Sequence, residues 1–137
     1  MDFHEAMFEK VKFNPLVMKI RAAILVVKDW KERAFIRTEL IEEGVKTFAV
    51  ETMSEVEEWL ADPGVLPIII IYDTNNQEYP TQDLMRLSDL ASRIPVLIIT
   101  TPAEKREINF DELGLKHIIQ RPIRIGDVVV SVKGILK

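Results

Sequence analysis

The chain has 137 residues, 47% of them hydrophobic and 29% charged, and a net charge of −4. That is enough for one domain with its own core, and the acidic balance argues against a nucleic-acid binder, whose phosphate contacts need a basic surface. The absence of cysteine excludes disulfides, thiol catalysis and thiolate metal sites and suits a reducing cytoplasm; no apolar run reaches the roughly 18 residues that a membrane span needs.

Residues 1–21 read as an added helix and linker ahead of a main domain over 22–137. Between Asp2 and Phe13, Phe3, Met7, Phe8 and Val11 recur close to helical spacing, and Asn14-Pro15 should end that helix. Its apolar stripe would pack on the domain or on a partner. His4 reads as a solvent residue, and the acidic start does not resemble a signal peptide.

Ala22 to Val27 (AAILVV) is a short, wholly apolar run, as expected of a strand buried on both faces, and it ends at Lys28-Asp29. A helix from about Lys31 to Glu43 follows, with Ile36, Leu40 and Ile41 inward and Gly44 at its end. Thr47 to Glu51 alternates like a strand nearer the sheet edge. Ser54 with Glu57 fits a capping box for a short helix carrying Val56, Trp59 and Leu60 inward, which stops at Asp62-Pro63-Gly64.

The stretch Leu66-Pro67-Ile68-Ile69-Ile70-Ile71-Tyr72-Asp73 is the expected centre of the sheet. Four consecutive isoleucines must be covered on both faces, as in a parallel sheet between helix layers. Beyond it the pattern predicts a helix over 81–93, with Leu84, Leu87, Leu90 and Ala91 inward, and a strand over 95–100. A helix opening at Pro102 and running towards Gly114, a strand over 117–120 and an amphipathic helix from Arg124 complete the chain. Strands and helices alternate five times. The implied fold is α/β: a flavodoxin-like, doubly wound (βα)5 three-layer sandwich with a parallel five-stranded sheet.

Several chemistries are missing. The turn after the first strand has no glycine for a dinucleotide pyrophosphate, and neither a Walker loop nor a Gly-x-Ser-x-Gly elbow is present. Two histidines far apart in sequence do not suggest a zinc cluster. What converges is the set of strand ends, because in a parallel sheet these lie along one rim. Lys28, Asp29, Asp73, Asn75, Thr100, Thr101, Arg121 and Pro122 are therefore the candidate pocket residues.

In residue type and order these strand ends resemble the receiver domain of bacterial response regulators, the CheY-like phosphoacceptor fold, over about Arg21 to Lys137. The resemblance implies Asp73 as phosphoacceptor, Thr100 as the hydroxyl residue of the fourth strand, Asp29 as the second acid of the first strand and Pro122 as the proline of the last pair. Acyl-phosphate transfer to a carboxylate needs a divalent cation, and Asp29, Asp73 and a carbonyl of Asn75 could supply some of a magnesium ion's oxygen ligands. A histidine kinase or output protein is the implied partner, and homodimerisation would use the fourth helix, fifth strand and fifth helix. The expected location is cytoplasmic.

The departures point to an atypical or pseudo-receiver. Lys28 replaces the first acid, Arg121 replaces a lysine, and Ile118 stands at a position often aromatic. The loop after Asp73 lacks the family's usual proline and glycine. An ammonium at Lys28 would weaken magnesium binding, and an ion pair with Asp73 would lower that carboxylate's pKa. The expectation is a network of Lys28 and Arg121 with Asp73 that holds one state without phosphorylation and acts through protein–protein contact. A phosphorylation-competent receiver is the alternative. An Asp-based hydrolase is opposed by Asn75, where a second acid is required; a small-molecule-binding module is a third option.

Overall fold

The computed structural model describes residues 19–137; the expected N-terminal helix and His4 lie outside them. Among the described residues the order is β1 (Ile20–Val26), α1 (Trp30–Glu42), β2 (Thr47–Val50), α2 (Met53–Ala61) and β3 (Val65–Asp73). Then come α3 (Pro80–Leu90), β4 (Val96–Thr100), α4 (Pro102–Glu107), β5 (His117–Gln120) and α5 (Ile125–Ile135). Every strand pair is parallel, in the order β2-β1-β3-β4-β5. This is the doubly wound arrangement expected of alternating strands and helices.

The isoleucine run shows how the sequence forms the middle layer. Side chains alternate across a strand, so Ile70 and Tyr72 join Ile24, Val26, Val96 and Ile98 beneath α2 and α3. Ile69 and Ile71 join Leu25, Leu97 and Ile99 beneath α1 and α5. Pro67 sits at an irregularity: Ala22 pairs with Pro67 but Ala23 pairs with Ile69, leaving Ile68 as an extra residue. A proline cannot donate to the ladder, and a bulge is where a strand tolerates one.

Local details differ from the sequence reading. Ile41 is 42% exposed, and the inner stripe of α1 is Ile36 and Leu40. Thr52, not Ser54, holds the N-cap position of α2, its side chain making no capping bond; Glu55, rather than Glu57, accepts from the Glu51 N–H at 3.3 Å and the Thr52 hydroxyl at 3.2 Å. Helix α3 ends at Leu90 instead of Arg93. Helix α4 is only one and a half turns long and stops well before Gly114, because Phe110 and Leu115 plug the core through a tight turn that Gly114 closes at a φ of 70°. No helix among the described residues is long and apolar enough to cross a membrane.

Candidate functional site

Asp73 ends β3 with its side chain on the α1/α5 side, two residues beyond Ile71. It is 1% exposed, and both its oxygens are engaged. Oδ1 accepts the Asn75 backbone N–H at 3.1 Å. Oδ2 accepts from Arg121 Nη2 at 2.7 Å. Arg121 leaves the end of β5, where its own N–H donates to the Thr100 carbonyl at 2.8 Å; the Arg121–Pro122 peptide is cis.

The second partner of Arg121 is Glu32, in the first turn of α1. Nη2 donates to Glu32 Oε1 at 2.5 Å and Nη1 to Oε2 at 3.2 Å, a two-pronged contact that suits the planar guanidinium. Asp29 caps α1 by accepting the Glu32 N–H at 2.9 Å, and so fixes where that glutamate stands. One guanidinium thus lies between two carboxylates, and Arg121 is held more firmly protonated by Glu32 and then Asp73. Burial pushes the Asp73 carboxyl above its ordinary value, the Arg121 and Asn75 hydrogen bonds working the other way without cancelling it.

Two expectations need correction. Lys28 forms no ion pair with Asp73 within 4.0 Å; its side chain lines a separate cleft of about 260 Å³ with Gln77, Tyr79 and Asp83. Among the described residues the cation over the aspartate is Arg121, and the pKa of Asp73 rises where a Lys28 pair was expected to lower it. Asp29 is exposed and spent on the helix cap, so it does not join Asp73. The physical reason is the chain direction: after Val27 the backbone turns into α1, and the cap consumes the aspartate while the lysine points towards the neighbouring loops.

The implied magnesium ion does not fit Asp73 as it stands: Oδ2 takes the Arg121 guanidinium at 2.7 Å and Oδ1 the Asn75 backbone N–H at 3.1 Å, while Asp29 caps α1. Arg121 already fills the charge-neutralising role at 2.7 Å.

Thr100 is fully buried at the end of β4, and its Oγ1 has no partner among the described residues; nor does Arg121 Nε. Thr101 is the N-cap of α4, in a capping box with Glu104. That glutamate also accepts the Thr74 hydroxyl at 2.8 Å, tying the loop after Asp73 to α4. Sequence reasoning missed Glu32, Thr74 and Glu104. A signal for Glu32 was present: it stands three residues after a good N-cap, in the first turn of the helix that follows the first strand end.

Next to Asp73, Tyr72 points to the opposite face, and its hydroxyl donates to Asp83 Oδ2 at 2.5 Å. Burial and Asp83 hold that phenol protonated well above its ordinary range. Tyr72 thereby links the strand end to α3.

No protein-family model and no curated protein sequence matches this chain. Solved structures do. A response regulator receiver protein from Burkholderia phymatum superposes with a TM-score of 0.70 at 21% identity, covering 85% of this chain and 95% of its own. The receiver domain of the TMAO respiratory system response regulator TorR gives 0.72 at 18% identity, over 85% and 97%. The signal receiver domain of a signal transduction histidine kinase from Syntrophus aciditrophicus gives 0.69 at 23%, over 84% and 89%. The chain has the fold of a CheY-like response-regulator receiver domain.

Proposed function

We propose that this is a receiver-type signalling domain in which Arg121 takes the place of a metal ion, and that it works through protein–protein contact, without phosphoryl transfer to Asp73 and without enzymatic activity. The observation that carries this reading is the 2.7 Å contact between Arg121 and Asp73, with Glu32 gripping the same guanidinium. Acyl-phosphate formation needs positive charge on the transferring phosphoryl oxygens and an accessible carboxylate. Here the carboxylate is buried and already neutralised by a residue of the chain. By resemblance, the partner is a histidine kinase or an output protein in the cytoplasm, and α4, β5 and α5 form the contact face.

A second reading, a phosphorylation-competent receiver, draws on one observation. Thr100 Oγ1 and Arg121 Nε are buried polar atoms without partners among the described residues, and such atoms are uncommon unless a ligand or water meets them. Intact mass after incubation with acetyl phosphate, with and without magnesium, separates the two. Unchanged mass is the expected result. A gain of one phosphoryl group that vanishes in Asp73→Asn would replace the first reading by the second.

A further inference from the structure

Helix α4 is held differently from the other helices. Helices α1, α2, α3 and α5 each bury at least two apolar side chains, whereas α4 buries none. Its Ala103, Lys105, Arg106 and Glu107 are exposed, and a groove of about 400 Å³, lined by Lys105, Arg106 and Glu107 and by Ile118 of β5, runs beside its last turn. A helix of six residues is too short to persist on its own propensity. With no apolar stripe to hold it, its place on the domain depends on polar contacts.

Those contacts meet at one carboxylate oxygen. Glu104 Oε1 accepts the Thr101 hydroxyl at 2.9 Å and the Thr101 N–H at 3.4 Å, both inside the capping box, and the Thr74 hydroxyl at 2.8 Å. The Thr74 bond is the one that reaches beyond the helix and its cap. Thr74 is 3% exposed and pinned to the sheet, its N–H donating to the Ile99 carbonyl at 3.0 Å. Thr100 adds no tie, because its Oγ1 has no partner among the described residues. We infer that α4 is a latched helix: the Thr74–Glu104 bond fastens it to the loop leaving Asp73, and when that bond opens the helix comes away between its buried flanks, Thr100 and Phe110, while the sheet stays closed. Segments with few buried apolar contacts are the ones that open before the whole fold does. What the latch serves rests on the reading above, in which α4 belongs to the contact face: a partner meets the helix docked or released. The latch itself does not depend on whether Asp73 takes a phosphoryl group.

Amide hydrogen exchange of the full chain, followed by NMR, tests this. The reporters are the Lys105 and Ile108 N–H groups, which donate to the Thr101 and Glu104 carbonyls; Ile70, bonded to the Pro95 carbonyl, is the sheet reference. In the parent, the two reporters should be at least about a hundredfold less protected than Ile70, with rates insensitive to low denaturant. Equal protection would overturn the proposal, since α4 would then open only with the whole fold. Thr74→Val removes the hydroxyl at nearly constant volume and should speed both reporters about tenfold, the usual worth of a hydrogen bond to a charged group; Thr74→Ser should restore the parent rates. Ser88→Ala cuts a different tie, from the Ser88 hydroxyl to the Leu113 carbonyl at 2.6 Å, and should leave both reporters unchanged. Reporters indifferent to Thr74→Val, or equally sensitive to Ser88→Ala, would refute the latch. Glu104→Ala, in a helix that contributes no core residue, should match Thr74→Val and serves if valine at 74 does not fold. A phosphorylated Asp73 or another contact face would change none of these rates, so the latch and the reading above fail separately.

Discussion

Glu32 and Arg121 stand 89 positions apart in sequence and meet in a two-pronged ion pair over the buried Asp73. The pair joins the first turn of α1 to the end of β5. One guanidinium therefore balances two carboxylates, of which the Asp73 side chain is 2% exposed and Glu32 26%.

Removing the cation leaves both acids facing each other. Arg121→Ala should lose about 3 kcal/mol at neutral pH, the usual cost of breaking a buried pair from one side. The loss should shrink in acid, where the carboxyls escape by protonation. Arg121→Lys should fall between, because an ammonium cannot make the forked contact. Denaturant unfolding measures all three, and an alanine variant within about 0.5 kcal/mol of the parent would deny the triad any structural role.

The raised pKa of Asp73 sets a sign. A carboxyl whose folded pKa exceeds its unfolded value holds its proton longer when folded. Ionising it costs stability, which falls as pH rises from about 3.9, the unfolded value, through the folded pKa. Asp73→Asn has no proton to lose. Its stability relative to the parent should therefore increase across that interval, as followed by unfolding at a series of pH values. A difference that declines with pH would mean that Arg121 outweighs burial.

Lys28 lies off the site. Lys28→Ala should leave both stability and the Asp73 titration where they were, within about 0.5 kcal/mol. Carboxyl carbon shifts of Asp73 followed by NMR provide the check; a displaced midpoint would return the lysine to the network.

Freeing Asp73 of its bridging guanidinium should create what the parent lacks. Glu32→Ala combined with Arg121→Lys removes the forked contact and leaves the Asp73 carboxylate open to a cation. This variant should show a Tm that climbs with magnesium concentration, by about 1.4 kcal/mol of stability at ten times the dissociation constant. The parent should show no such climb, and an equal response from both would contradict the metal-replacement reading.

Thr101 caps α4 and shares Glu104 with Thr74. Thr101→Ala should cost about 1 kcal/mol. Faster amide exchange over Thr74 to Gln77 should accompany it, because the tie holding that loop is loosened. Exchange unchanged there would show the loop to be held by other contacts.

Much of this molecule was readable along the chain. The apolar runs ending at Val27, Asp73 and Thr100 could be nothing but strands covered on both faces, and the helical stripes between them closed the alternation. From that follows the sheet, the rim and the placing of Asp73, Thr100 and Arg121 at strand ends, since strand period and crossover handedness are local rules. Which cation reaches the aspartate was not local. Lys28 is close in sequence to a strand end, yet the turn into α1 carries its side chain into another cleft, while Arg121 and Glu32 are brought together from the two ends of the chain. Side-chain direction at a loop depends on the turn, and an ion pair between distant residues depends on how the layers stack; only the tertiary structure decides either.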